Sequence, residues 1–144
     1  MAEVAFHFNV PEKLAYACRV VRKAVGLEQK VWVVTHPDQL QTLNELLWSF
    51  SKLDFIAHAS ASAPPEVLKH SPVVLAQSPQ DLPGPHTFDV LLNLDDAVPS
   101  HYERFARVIE VVSLDEQDKH TARARWKQYL QAGCAITRHD LSAA

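Results

Sequence analysis

The stretch that decides the fold is KVWVVTHPDQLQTLNELLWSF, residues 30–50. Its first part, KVWVVT (30–35), is β-branched and nearly all apolar, which is typical of a strand covered on both faces. The part that follows, PDQLQTLNELLWSF (37–50), has leucines at helical spacing, namely Leu40, Leu43, Leu46 and Leu47. The stretch therefore predicts a strand followed by a helix, which is the repeating unit of an α/β domain.

A similar unit opens the chain. EVAFHF (3–8) alternates apolar and polar residues, a pattern that is typical of a strand. Pro11 stands where a first helical residue is favoured, and Gly26 stands where a helix is expected to end. Between them, apolar residues recur at helical spacing, at Leu14, Ala17, Cys18, Val21 and Val25. The pattern predicts a strand over 3–8 and a helix over 11–26.

Strands are also predicted by three later apolar runs, PVVLAQ (72–77), FDVLLNL (88–94) and RVIEVV (107–112). The segment 53–72 is rich in Ala, Ser and Pro, so it is expected to be mostly loop, with a short strand near Phe55 and Ile56.

Two further helices are predicted, a short one over 99–106 and a long one over 115–133. Acidic residues open the long helix and Gly133 stands at its end, as the helix dipole and helix termination favour. Because strands and helices alternate along the whole chain, we expect a three-layer, Rossmann-like α/β domain with a largely parallel sheet.

Composition limits the class of protein. The chain has 144 residues, of which 47% are hydrophobic and 22% charged, and its formal net charge is -3. These values predict one globular domain over 1–144 and argue against a disordered chain or one coated in basic residues. No signal peptide or long apolar run is present in the sequence, so we expect a cytoplasmic protein. Cys18 and Cys134 lack metal or redox spacing and are expected to be free, buried thiols.

Motifs for catalysis are absent from the sequence. The chain has three glycines and no glycine-rich phosphate loop, no HExxH or zinc-type Cys/His spacing, and no GxSxG elbow. Asp95 and Asp96 follow the apolar run DVLLNL, but without a phosphate loop they are interpreted as loop or cap residues. We therefore expect no cofactor, no metal and no enzymatic activity. The alternative is a small nucleotide-processing enzyme that uses the carboxyl edge of the sheet.

The long C-terminal helix carries cations beside aromatic residues. At 100° per residue, Lys119, Arg123, Trp126 and Leu130 fall in one sector, with Ala122 and Tyr129 next to it. Arg123 lies at one rim of the apolar stripe, and Arg125 lies beyond the opposite rim. Lys127 points away from the stripe. This stripe either docks the helix on the sheet or forms a slot for a ligand that is both acidic and apolar.

Several segments, taken in order, resemble the chi subunit family of bacterial DNA polymerase III. They are VAFHF (4–8), NELLWSF (44–50) followed by DFIAH (54–58), DVLLNL (89–94), ARVIEVV (106–112) and ARARWKQYLQAG (122–133). The resemblance runs along nearly the whole chain, although Trp126 stands where the family often has Tyr. It implies a Rossmann-like fold and a non-catalytic accessory role in the clamp-loader assembly.

The resemblance also implies two partners and a position for each. One is the acidic C-terminal tail of single-stranded DNA-binding protein, an Asp run followed by apolar residues and a terminal Phe. For it we expect Arg123 and Trp126 at the centre, supported by Lys119, Arg125, Tyr129 and Val112. The other is the psi subunit, which tethers chi to the clamp loader; its surface is expected at Trp48, Phe50, Phe55 and Ile56. Contact with DNA is expected mainly through these partners, because the net charge and sequence disfavour direct binding of single strands.

Overall fold

The computed structural model describes residues 3–50, 58–60, 73–76, 89–99 and 102–141. Its strands are β1 (Glu3–Val10), β2 (Val31–Val34), β3 (His58–Ser60), β4 (Val73–Ala76), β5 (Val90–Asn93), β6 (Arg107–Ser113) and β7 (Ala135–Asp140). Its helices are α1 (Lys13–Gly26), α2 (Pro37–Phe50) and α3 (Glu116–Gln131), and one 3-10 turn spans Tyr102–Arg104.

The seven described strands form one sheet in the order β3-β4-β2-β5-β6-β1-β7. Every neighbouring pair is parallel, and the inner strand β2 lies between β4 and β5. The predicted α/β class and the largely parallel sheet are confirmed.

Helices cover both faces of the sheet. In β2, Val31 and Val33 pack into a core with α1, whereas Trp32 and Val34 pack into a second core that includes Tyr129 of α3. The alternation of side chains along the strand produces these two cores, and it explains why all four residues of β2, 31–34, are apolar. Helix α2 packs against α1, so both lie on the face opposite α3. The arrangement is the predicted three layers.

Two predicted boundaries are corrected by the structure. Helix α1 begins at Lys13 rather than Pro11, because β1 continues to Val10 and Glu12 is still extended, with φ -130° and ψ 101°. Of the helix predicted over 99–106, the described residues 99 and 102–106 form only a 3-10 turn at Tyr102–Arg104. Within the segment expected to be mostly loop, His58–Ser60 pairs with β4 as a strand.

Strand β7 is a feature that the sequence analysis missed. AITRHD (135–140) extends one edge of the sheet by pairing in parallel with β1, from Glu3 opposite Ala135 to Phe8 opposite Asp140. Most of its residues are exposed, as its position at the edge allows, so it lacks the apolar run that marks the inner strands. This strand forms one wall of the candidate site.

Helix α3 has the termini that its sequence predicts. Asp115 precedes the helix in an extended conformation, and its side chain accepts a hydrogen bond of 3.0 Å from the backbone N–H of Asp118. Glu116 and Asp118 place acidic groups in the first turn. Gly133, just after the helix, has φ 82°, a conformation that favours glycine. Cys18 and Cys134 are free and buried, as predicted. In the described ranges, no helix combines the length and apolar character needed to cross a membrane.

Candidate functional site

A groove of about 650 Å³ lies between helix α3 and strands β1 and β7. Ten residues line it: Phe6, Phe8, Asn9, Val112, Lys119, Ala122, Arg123, Trp126, Lys127 and Arg138. The parallel pairing of β7 with β1 brings Arg138 beside Phe6 in the sheet, so residues distant in sequence share this groove.

The floor of the groove is apolar. Phe6 and Val112 are buried at 4% and 3% exposure, and they come from the adjacent strands β1 and β6. The ring of Trp126 packs against Phe6 with 5.1 Å between centroids, while Phe8 is only half-buried. A half-buried aromatic floor of this kind can accept a further apolar side chain.

The walls of the groove carry four cations. Lys119, Arg123 and Lys127 follow one another at intervals of four residues along α3, so they form one row on the helix surface. Across the groove, the guanidinium carbon of Arg138 lies 5.4 Å from the ring centroid of Phe8 and 5.9 Å from that of Trp126. No carboxylate is among the lining residues. The contact of Lys119 with Glu116 is long, at 3.9 Å. The potential in the groove is therefore positive.

Four of the six side chains expected to bind the tail meet in this groove: Arg123, Trp126, Lys119 and Val112. Lys127 also lines it, contrary to the expectation that it points elsewhere; it lies one turn after Arg123, and its long side chain reaches the groove. Leu130 falls in the predicted sector but is 60% exposed. The projection at 100° per residue gives the direction of a side chain around the helix. It does not give the position along the helix axis at which the groove ends.

Phe6, Phe8 and Arg138 were missed as site residues. The alternation in EVAFHF (3–8) does put Phe6 and Phe8 on one face of a strand, which was a usable signal. For Arg138 the signal was weak, because AITRHD (135–140) has two apolar residues followed by four polar ones and does not alternate.

Arg125 and Tyr129 are not brought to the groove, which corrects their expected position. Both belong to the buried face of α3, where they bind the Glu110 carboxylate of β6. Arg125 Nε donates at 2.9 Å and the Tyr129 hydroxyl donates at 2.7 Å. Asn93 Nδ2 donates a third hydrogen bond to Glu110 at 2.8 Å. Arg125 and Tyr129 hold the helix on the sheet and do not line the groove.

Burial and neighbouring groups shift the pKa values of Glu110 and Tyr129 in this buried network. Burial raises the pKa of Glu110, while Arg125, Asn93 and Tyr129 act in the opposite direction. Burial and the neighbouring Glu110 raise the pKa of Tyr129, so its hydroxyl remains a hydrogen-bond donor. Arg125 Nη1 also donates to the backbone oxygen of Asp96 at 2.9 Å, which ties the loop after β5 to the same network.

Asp118 anchors the first turn of α3 near the groove. Its carboxylate accepts from the backbone N–H of Ser113 at 2.8 Å and pairs with Lys13 of α1 at 3.2 Å. Burial alone would raise the pKa of Asp118, but Ser113 and Lys13 lower it below its ordinary value. The end of β6, the start of α3 and helix α1 are thus joined at one carboxylate.

A second polar cluster lies at the carboxyl ends of β2 and β5. His36 Nε2 is 3.1 Å from Asp95 Oδ1 and 3.0 Å from Asp96 Oδ2. In the described part of the chain, these three residues form the group whose donor atoms, all within 4.8 Å of one another, could share a cation. Both carboxylates already contact the imidazole, so an ion pair or hydrogen bonds with His36 account for the arrangement without an ion.

The residues expected at the psi surface fall where the structure gives no side-chain positions. Trp48 and Phe50 belong to the last turn of α2, but their side chains are outside the described part of the chain. Phe55 and Ile56 lie in 51–57, which is outside the described ranges. Their role stays a prediction.

Known proteins with a similar sequence agree on one family. The sequence profile of the family described as "DNA polymerase III chi subunit, HolC" matches residues 1–137. The DNA polymerase III subunit chi of Pseudomonas aeruginosa is 31% identical over 130 residues, which cover 90% of this chain and 87% of that protein. The matched region includes every described strand and helix up to the middle of β7. The chain therefore belongs to the DNA polymerase III chi subunit family.

Proposed function

We propose that this protein is a non-catalytic adapter that binds the acidic C-terminal tail of single-stranded DNA-binding protein in the groove beside α3. Through a second surface it binds the psi subunit, which links it to the clamp loader of DNA polymerase III. The observation that carries the first part is a groove with an aromatic floor, four cations and no lining carboxylate.

Family membership supplies the setting for this proposal. As a chi subunit, the chain is an accessory subunit of DNA polymerase III and acts in DNA replication. A ligand that joins acidic residues to a terminal apolar residue fits the groove, because the two halves of that ligand need different surroundings. Cations attract its acidic part, and the aromatic floor removes its apolar part from water.

The row of cations matches the length of a short acidic run. Lys119 and Lys127 are eight residues apart on α3, which corresponds to about 12 Å along the helix axis. An extended peptide rises roughly 3.3 Å per residue, so about three to four residues of a ligand can lie along this row. Arg123 stands at the middle of the row and next to Trp126, at the boundary between cations and apolar floor.

A terminal carboxylate would lie beside the aromatic residues. A guanidinium can bind a carboxylate through two parallel hydrogen bonds, and both Arg123 and Arg138 border the groove. Arg138 already lies over Phe8 and Trp126, where the terminal side chain would be buried. The same position thus offers an apolar contact to the side chain and a charged contact to its carboxylate.

Titration of the full chain with a peptide of the tail tests the groove. We expect removal of the terminal Phe to weaken binding by about ten- to a hundredfold, because burying a Phe side chain is worth roughly 1.5–3 kcal/mol. Added salt should weaken the attraction of the Asp run, since exposed charges are screened beyond about 8 Å near physiological ionic strength. Isothermal titration calorimetry at two salt concentrations measures both effects. Equal affinity for the two peptides at both salt concentrations would contradict binding in this groove.

For the psi subunit we propose the surface around Trp48, Phe50, Phe55 and Ile56. Large apolar side chains at the end of a helix and in the segment after it are suited to a protein interface, where a few aromatic anchors carry most of the binding energy. This surface follows α2, which lies on the face of the sheet opposite α3. A partner held on the α2 face of the sheet would leave the groove beside α3 open.

Co-purification tests the psi surface. We expect Trp48→Ala and Phe55→Ala, introduced together, to abolish recovery of psi, since loss of two aromatic anchors commonly costs about 4 kcal/mol or more. The tail peptide should still bind the double variant with unchanged affinity, which verifies its fold. Arg22→Ala, an exposed site on α1, provides a control substitution. Full recovery of psi by a folded double variant would place the interface elsewhere.

A further inference from the structure

A second cavity, of about 280 Å³, lies on the other face of the sheet, between α1 and strands β1, β5 and β6. Its lining residues are His7, Tyr16, Arg19, Val20, Lys23, Ala24, Leu27, Gln29, Val90, Arg107 and Ile109. None of these residues lines the groove beside α3, and the sheet separates the two cavities. The proposed tail-binding function makes no use of it.

Three cations from two elements surround this cavity. Arg19 and Lys23 are one helical turn apart on α1, and Arg107 begins β6. No Asp or Glu is among the lining residues, and within the described ranges none of the three cations has an ion pair in the structure. Three like charges around one cavity repel one another, and a bound anion would relieve this repulsion.

His7 contributes a buried polar atom without a partner. The Nε2 atom of His7 is buried and has no hydrogen-bond partner in the described part of the chain. The other ring nitrogen, Nδ1, is hydrogen-bonded to the hydroxyl of Tyr16. Buried polar atoms normally have partners, so this nitrogen in a residue that lines the cavity is available to bind a water molecule or a ligand.

The surroundings of His7 are also electropositive. Burial, and then the nearby His139, Arg107 and Lys23, lower the pKa of His7 to about 4. The groups that face its ring are Tyr16 and Lys23 of α1, His139 of β7 and Arg107 of β6. An anion near Nε2 would offset these charges and raise the pKa of His7, which gives a spectroscopic signature of binding.

We propose that this cavity is a second anion-binding site that takes a phosphate monoester, held by Arg19, Lys23, Arg107 and His7. Three cations match the double negative charge of a phosphate monoester better than the single charge of a carboxylate. Guanidinium groups can bind phosphate oxygens through two parallel hydrogen bonds. The remaining walls include Val20, Leu27, Val90 and Ile109, which offer apolar contact to the group esterified to the phosphate.

Nuclear magnetic resonance on the full chain tests the site. Inorganic phosphate and adenosine monophosphate are titrated separately at pH 7.5, with sodium chloride at equal ionic strength as the blank. Both ligands should shift the ring signals of His7 and leave the indole signal of Trp126 in place, since Trp126 lies on the opposite face of the sheet. Tighter binding of adenosine monophosphate would show that the apolar walls hold the esterified group. Equal affinity for inorganic phosphate and adenosine monophosphate would show that the site recognises only the phosphate group. Both outcomes support phosphate binding in this cavity, and only the first supports contact between the apolar walls and the esterified group.

Matched variants identify the cations. Arg107→Gln and Arg19→Gln should each weaken phosphate binding about tenfold or more, as expected for loss of a charge-assisted contact. Arg22→Gln removes the same charge from α1 at an exposed residue outside the cavity, so it should change the affinity less than twofold. Absence of a His7 shift would overturn the proposal. So would shifts of equal size with sodium chloride, or equal losses in all three variants.

Discussion

Replacing Arg125 with alanine should lower the free energy of unfolding by about 3–5 kcal/mol, the range measured when one partner of a buried ion pair is removed. Arg125 and Glu110 are 1% and 0% exposed, and their side chains meet at 2.9 Å. Without the guanidinium, the Glu110 carboxylate would stay buried with two neutral donors, Asn93 and Tyr129, and no cation to balance it. Urea denaturation followed by circular dichroism measures the loss.

Arg123→Ala provides the matched control. Arg123 is the same residue type two positions earlier on α3, but it is exposed, so its substitution should change the free energy of unfolding by no more than about 0.5 kcal/mol. A second variant examines the cause of the destabilisation. Adding Glu110→Gln to Arg125→Ala removes the uncompensated charge and keeps an acceptor for Tyr129, so it should recover part of the lost stability. Equal stability of Arg125→Ala and Arg123→Ala would contradict a structural role for the buried pair.

The contrast between Arg123 and Arg125 marks the limit of what hydropathy patterns predict in this chain. The buried face of α3 consists of Asp118, Ala122, Arg125 and Tyr129. Two of these four residues are charged. A search for an apolar stripe therefore places the buried face of α3 too near Trp126. The helix itself was predicted correctly, because its start and end depend on local signals at Asp115 and Gly133.

A different signal could have identified the buried face. Glu110 stands within the apolar run RVIEVV (107–112), and Asn93 within DVLLNL (89–94). A polar residue inside a strand that is buried on both faces requires a partner. Cations and hydroxyl groups on the helix that directly follows β6 are candidate partners. That argument would have predicted a buried polar contact between this helix and Glu110, without choosing Arg125 over the other cations of the helix.

The strand order and the composition of the groove could not be read from local patterns. The inner strands β2, β5 and β6 were predicted because they are buried on both faces and their sequences are mostly apolar. Strand β7 is at the edge of the sheet, where mostly exposed residues are tolerated, so its sequence carries a weak signal. The groove depends on that strand for Arg138, and on its pairing with β1 for the position of Phe6 and Phe8. The positions of these three residues in the groove therefore follow from topology.

Arg123→Ala should weaken binding of the tail peptide about ten- to a hundredfold, because a charge-assisted contact at the centre of the cation row is lost. Trp126→Ala removes the aromatic side chain that packs on Phe6 and should have an effect of at least similar size. Calorimetric titration of each variant, with Arg22→Ala as the control for loss of one exposed charge, measures the affinities. Before titration, urea denaturation of each variant should give a cooperative unfolding transition, which shows that the variant is folded.

The salt dependence of the variants separates the two contributions to binding. If Arg123 acts through its charge, its loss should reduce the salt sensitivity of binding, since one fewer screened contact remains. If Trp126 acts through apolar contact, its variant should keep the salt sensitivity of the original chain while losing affinity. Arg123→Ala and Trp126→Ala variants that stay folded and bind the tail as tightly as the unaltered chain would mean that α3 serves only to cover the sheet. The cations beside it would then be solvated surface charges, and the tail would bind elsewhere.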